Sequence, residues 1–243
     1  MFVFAVIDKI WSFLLAGGIF MAFIGLASFV AVAVAIYLSL TLRRNAVIPS
    51  VLESEIGRAD RHFKSGNAIT LRQHLEQTDT AIGKIGAVAL SDRFSSREEA
   101  AHAVEANARE EVVKLQSGMG VLEVIITVAP LLGLLGTVSG LVSVFATLGT
   151  GGEEAADPAR LAAGIAIALN TTIAGLVVAI ISVIVHSIFT RKIEHLAARL
   201  EVLAGELLQS FYLFGGPSLY EENLIAGDSP LVENSSEGEK FPS

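Results

Sequence analysis

A chain of 243 residues that is 52% hydrophobic, with a mean hydropathy of +0.61, is too apolar for an ordinary soluble domain and suits a small membrane protein with water-exposed parts. The absence of cysteine excludes both a disulfide framework and a thiolate metal site. The net charge of −8 is not an acidic binding surface, since −5 of it falls in 215–243 and −2 in 149–160, and nothing in the pattern points to nucleic-acid binding.

After a short N-terminal segment, 1–9, three charge-free windows run from Ile10 to Leu42, from Val124 to Gly152 and from Leu161 to Thr190. Each exceeds the roughly 20 residues a helix needs to cross about 30 Å of hydrocarbon, so an all-α membrane protein with three transmembrane helices is expected. The first span, 10–42, contains Ala31, Val32 and Ala33, which mimic a signal-peptide cleavage site. It is far longer than a signal core and runs on to Arg43 and Arg44 as a stop-transfer segment does, so it reads as an uncleaved span.

Residues 43–120 read as a cytoplasmic helical domain. Ser96 to Glu99 forms a capping box that opens a polar helix through Lys114, leading into span two at 121–148. In that span Pro130 removes a backbone donor, which predicts a kink or hinge. Gly136 and Gly140 make a G-x-x-x-G pair and Gly133 extends the small surface; small residues let helices approach closely in lipid.

The connection 149–160 is acidic, whereas Arg43 and Arg44 follow span one and Arg191 and Lys192 follow span three. Basic residues stay on the cytoplasmic side, so the N-terminus and the 149–160 loop are expected outside. Span three, 161–190, carries a seam of Gly164, Ala168, Thr171 or Thr172, Gly175, Ala179, Ser182 and His186 at gaps of three or four.

Adjacent threonines beside Asn170 near mid-bilayer must find partners, because an unpaired polar group in hydrocarbon costs several kcal/mol. They are expected to face protein or water. Asn170, about 200° around the helix from Thr172, serves a different interface. Ser182 and Thr190, taken alone, are expected to bond the carbonyl four residues back.

In the extension 191–214, Ile193, Leu196, Leu200, Leu203, Leu207 and Phe211 form a heptad-like stripe, covered either by helices of the same chain or by neighbouring subunits. The tail 215–243, acidic and rich in Gly, Pro, Ser and Asn, is expected to be disordered.

No span holds an Asp, Glu, Lys or Arg in its core, although proton pumps normally use an intramembrane carboxylate. Glu123 and His186, at the cytoplasmic ends of spans two and three, read as helix-end anchors that can titrate. A titrating group for ion transport therefore has to come from another polypeptide, or the ion is one that hydroxyls and carbonyls coordinate.

Two quoted stretches carry a family resemblance. VAPLLGLLGTVSGL, Val128 to Leu141, and AGIAIALNTTIAGLVVAI, Ala163 to Ile180, resemble the span-two and span-three signatures of the MotA/TolQ/ExbB family. Asp157-Pro158, the three-span layout and the approach KLQSGMGVLEVI, Lys114 to Ile125, are similar to the TolQ/ExbB branch.

The resemblance implies a ring-shaped homo-oligomer, a pentamer, around two copies of a single-span ExbD/TolR-like partner in the bacterial inner membrane. That partner brings the membrane Asp that takes up H⁺ or Na⁺, and a TonB- or TolA-like protein is a further candidate partner. No cofactor is implied beyond the transported ion. By motif, Thr137 and Thr172 match the family's span-two and span-three threonines and are expected to line the ion path, with Thr171 beside them.

The sequence departs from the family pattern at Ile167, where ExbB has a glutamate, and at Ile180-Ile181, where Ile-Pro is common. The Thr171-Thr172 pair resembles sodium-driven relatives, and H⁺ is favoured over Na⁺. A structural scaffold without ion conduction is the alternative. An intramembrane hydrolase built on Ser182 and His186 lacks a strained nucleophile motif and an orienting acid.

Overall fold

The computed structural model describes residues 18–149 and 158–219, and among them every regular element is a helix and none is a strand. In chain order these are α1 (Gly18–Thr41), α2 (Arg44–Val47), α3 (Ser50–Ile56), α4 (Ala59–Lys64), α5 (Ala68–Gln77), α6 (Ala81–Ala89), α7 (Arg97–Leu115), α8 (Met119–Gly149) and α9 (Pro158–Leu213). The described residues group into two compact units: residues 18–47 with 110–149 and 158–198, and residues 48–109 with 199–219.

Three helices are long and apolar enough to cross a membrane, within Gly18–Thr41, Met119–Ala146 and Leu161–Leu213; the first unit holds the first two and the third as far as Ala198. The expected spans lie on them, while residues 10–17 of span one, the segment 1–9 and residues 150–157 of the loop fall outside the described residues. Side chains such as Phe23, Phe29, Leu134, Phe145 and Ile180 point outward and are exposed. Apolar surface of that extent is stable only against lipid or protein.

Inside this unit α1 packs along α8. Ile125, Ala129 and Ala179 form a small core, with Ala27, Val30, Ala31 and Val178 against it. Ala31, part of the apparent cleavage site, thus sits inside a helix and packs there.

The polar helix α7 does not pass straight into α8. A turn over Gln116–Gly118 separates them, and Gly118 takes φ +94°, a conformation that favours glycine. Just before it, the Glu110 and Glu111 carboxylates at 2.8 and 2.7 Å hold the Lys114 ammonium above its usual range. The capping box at the start of α7 forms with one shift: Ser96 Oγ accepts from the Glu99 amide at 3.2 Å, and Glu99 reaches back to the Ser95 amide at 3.1 Å.

The second unit is built in the manner of a water-soluble bundle. Short helices α3 to α6 bury Leu52, Phe63, Leu71, Leu75, Ile82 and Ile85 around the stripe of α9, where Leu200, Leu203, Leu207 and Phe211 are all nearly inaccessible. Phe63 and Phe211 pack with ring centroids 5.8 Å apart, and Leu207 abuts Gly86. Helices of the same chain therefore cover this part of the stripe.

Arg199 donates from Nε and Nη2 to Glu53 Oε1 at 3.0 and 2.8 Å. Burial, with a contribution from Glu99, pushes the Tyr212 phenol up; its hydroxyl donates to the Ser96 carbonyl at 3.2 Å. Residues 215–219, the first of the acidic tail, close α9: Gly215 and Gly216 take positive φ, the Gly216 amide donates to the Phe211 carbonyl at 2.9 Å, and Leu219 is buried. Residues 220–243 lie outside the described residues.

Candidate functional site: a hydroxyl cluster between α8 and α9

Close approach of two helices in lipid requires that side chains be nearly absent at the contact. At Gly133 an added Cβ would lie 2.8 Å from the Thr171 carbonyl oxygen, at Gly136 2.6 Å from the Thr171 hydroxyl, and at Gly140 2.7 Å from the Ala168 Cβ. At Gly175 it would collide with the Ala129 carbonyl oxygen, and at Gly164 with the Val144 side chain. These glycines are therefore packing necessities of one seam, which Ala168, Thr171, Ala179 and Ser182 complete as buried members. Helix α8 runs through Pro130 without interruption, from Met119 to Gly149.

Backbones this close bring hydroxyls onto carbonyls of the opposite helix. Thr137 Oγ1 lies 3.1 Å from the Ala168 carbonyl oxygen across the interface and 3.2 Å from that of Gly133 in its own helix. Thr171 Oγ1 is 2.7 Å from the Ala168 carbonyl and 3.1 Å from that of Gly133, and Thr172 Oγ1 is also 3.1 Å from the Gly133 carbonyl. The hydroxyls of Thr137 and Thr172 contact each other directly.

Thr171 is only 2% exposed, whereas Thr137 and Thr172 are half-buried. The seam thus takes Thr171 as its buried member, and Thr172 occupies its edge. The cluster, set against Gly133, Gly136 and Ala168, can accept and donate hydrogen bonds, and it carries no titratable group of its own.

The remaining candidates fall elsewhere. Asn170 is half-buried and outside the cluster. Ser182 donates to the Val178 carbonyl at 2.8 Å and Thr190 to that of His186 at 2.9 Å, the intrahelical bonds expected of isolated hydroxyls.

Fourteen residues beyond Thr172, about 21 Å along α9, His186 Nε2 lies 3.3 Å from Glu123 Oε1. The pair opens onto a polar cleft of about 370 Å³ lined also by Gln116, Thr190 and Glu194. Sequence reasoning named Glu123 and His186 separately but did not pair them. It also missed the carbonyls of Gly133 and Ala168, since a backbone acceptor has no signature in the sequence beyond the small residue that exposes it.

Residues 68–202, more than half of the chain, match the MotA/TolQ/ExbB proton channel family. The chain is 36% identical over 148 residues to a biopolymer transport protein ExbB homolog of Methanothermobacter thermautotrophicus, covering 61% of this chain and 52% of that protein. It is 41% identical over 123 residues to the biopolymer transport protein ExbB-like 1 of Synechocystis, covering 49% and 48%. Over 94 residues it is 37% identical to the biopolymer transport protein ExbB of Pseudomonas putida, covering 39% and 28%.

The matched stretch thus spans about half the length of the first two relatives. It includes α8 and the part of α9 that bears the threonine cluster. A multi-pass membrane chain with this seam and this match belongs to the MotA/TolQ/ExbB proton channel family.

Proposed function

We propose that this chain is the ring subunit of an inner-membrane, ion-driven energy transducer of the ExbB/TolQ type. It couples flow of H⁺, or of Na⁺, to movement of a single-span ExbD/TolR-like partner and so powers an envelope process. In this reading the ring is a pentamer around two partner copies, the N-terminus faces the periplasm, and a TonB- or TolA-like protein receives the work.

The observation that carries the reading is the cluster of Thr137, Thr171 and Thr172 in spans whose cores hold no acidic or basic side chain. Such a site can hold a carboxyl group brought by a second protein but cannot itself exchange a proton at neutral pH. Moving one elementary charge through 100 mV supplies about 2.3 kcal/mol. A partner aspartate neutralised by its ion can pass an apolar wall such as that of Leu134 and Leu135. Once ionised it is confined to a polar stop, because exposing it to hydrocarbon is costly. Alternation of hydroxyl seams and apolar faces around a ring converts ion uptake and release into steps.

The test is proton flux, and separately sodium flux, into vesicles holding the full chain with its single-span partner. Thr137→Ala and Thr172→Ala are expected to assemble normally and lose partner-dependent flux by at least about tenfold. Full flux in both variants would remove the ion path from these residues.

A scaffold without conduction is the second reading, favoured by one observation: all three hydroxyls already have partners within the chain. It predicts no ion-specific flux in the wild type and weakened assembly in both variants.

A further inference from the structure

The hydrogen bonds of the cluster do not add up pairwise, and the excess has a consequence. Gly133 and Ala168 lie four residues before Thr137 and Thr172 in continuous helices, so each carbonyl already accepts one amide. A carbonyl oxygen has two lone pairs, which leaves each with room for one hydroxyl. Three hydroxyls lie within 3.2 Å of the Gly133 oxygen and two within 3.1 Å of the Ala168 oxygen. Three protons thus compete for two places.

Thr171 settles the competition. Its 2.7 Å bond to Ala168 is the shortest of the hydroxyl-to-carbonyl contacts, and at 2% exposure the side chain has no water to turn to. With Ala168 filled, Thr137 and Thr172 share the single place on Gly133, and whichever does not hold it is bonded only to the other's hydroxyl. Either order, Thr137 to Thr172 to Gly133 or Thr172 to Thr137 to Gly133, makes the same number of bonds.

We propose that Thr171, though buried, is a positioning residue that keeps one hydroxyl proton of the Thr137–Thr172 pair surplus and so free to turn toward an arriving carboxylate. That function rests on the ion-path reading above, whereas the hydroxyl count does not. The turn leaves neither carbonyl without a hydroxyl, because the other threonine of the pair retains Gly133. Without the Thr171 hydroxyl there are two protons for two carbonyl places: Thr137 moves to Ala168, Thr172 takes Gly133, and no proton is spare.

The variants are Thr171→Val, similar in shape but without the hydroxyl, Thr171→Ala, which also leaves space beside Gly136, and Thr171→Ser, which restores the hydroxyl. In the full chain reconstituted with its single-span partner, Thr171→Val and Thr171→Ala are expected to lower ion flux about tenfold, the loss of a charge-assisted hydrogen bond, and Thr171→Ser to recover it to within about twofold. In lipid bilayers, solid-state NMR is expected to give a hydroxyl-to-hydroxyl proton correlation between Thr137 and Thr172 in the wild type and in Thr171→Ser, and to lose it in Thr171→Val and Thr171→Ala.

Persistence of that correlation in both hydroxyl-free variants overturns the inference whatever the flux does, and so does a Thr171→Ser variant as impaired as Thr171→Val. If the wild type conducts no ion while the correlation behaves as expected, the hydroxyl count stands and the motor reading alone fails.

Discussion

The two units solve the same problem, holding helices together, with opposite materials. Between α8 and α9 the contact is made of Gly133, Gly136, Gly140, Gly164, Ala168 and Gly175, with hydroxyls bonded to the carbonyls of Gly133 and Ala168. In the second unit the contact is made of Phe63, Leu71, Leu75, Ile82, Leu207 and Phe211.

The solvent accounts for the difference. Burying apolar area from water yields roughly 25 cal/mol per Å², so large side chains belong inside. In hydrocarbon a leucine gains little by moving from lipid to protein, and close backbone packing with hydrogen bonds takes over. The exposed large apolar side chains follow suit. Among the described residues only Val51, Ile69, Val202 and Leu213 of them belong to the second unit.

The largest effect is expected where bulk is removed from the water-type core. Phe211→Ala deletes a ring that is 0% exposed and packed on Phe63 and Tyr212, at a cost of about 3–5 kcal/mol. Amide exchange should accelerate strongly in α5 and α6 while the α8 amides around Gly133 keep their protection. Equal acceleration in both places would mean that the two packing modes do not stabilise the chain separately.

Next comes bulk added to the membrane-type contact. Gly175→Ala places a methyl group, fixed to the helix backbone, on the Ala129 carbonyl oxygen, which is itself backbone, so one helix must shift. A loss of about 1–3 kcal/mol is expected, read as a lowered unfolding temperature in detergent. The same shift should separate the Thr137 and Thr172 hydroxyls from their carbonyls, so ion flux is expected to fall along with stability. An unchanged unfolding temperature would contradict the close approach.

Much of this architecture could be read from residue order. Charge-free windows located the membrane helices, because hydrocarbon excludes charge over a length the chain must satisfy. The stripe from Leu200 to Phe211 declared a buried helix face by its spacing. The two threonine-bearing signatures marked the region where the cluster lies.

What spacing could not supply was the register of α8 against α9. Thr171 and Thr172 are neighbours on one helix, and only the depth of the opposing glycines decides that Thr171 is enclosed while Thr172 sits at the edge. The pairing of Glu123 with His186 joins residues 63 positions apart and was likewise beyond periodicity. The turn at Gly118 was hidden because a polar helix leading into an apolar one gives the same pattern whether or not the chain pauses between them.

The smallest expected effect makes the comparison sharpest, because it repeats the same chemical change with the opposite sign. Gly205 lies in α9 within the second unit, exposed, and an added Cβ there would meet nothing within 4 Å. Glycine inside a helix costs roughly 0.5–1 kcal/mol relative to alanine, through the backbone freedom it surrenders on folding. Gly205→Ala should therefore stabilise the second unit by about that amount, whereas Gly175→Ala in the same helix destabilises. The measurement is the unfolding temperature of both variants in one detergent. If Gly205→Ala also lowers it, Gly205 is serving a contact outside the single chain, and the division between glycines held by packing and glycines free to change would have to be redrawn around the assembled protein.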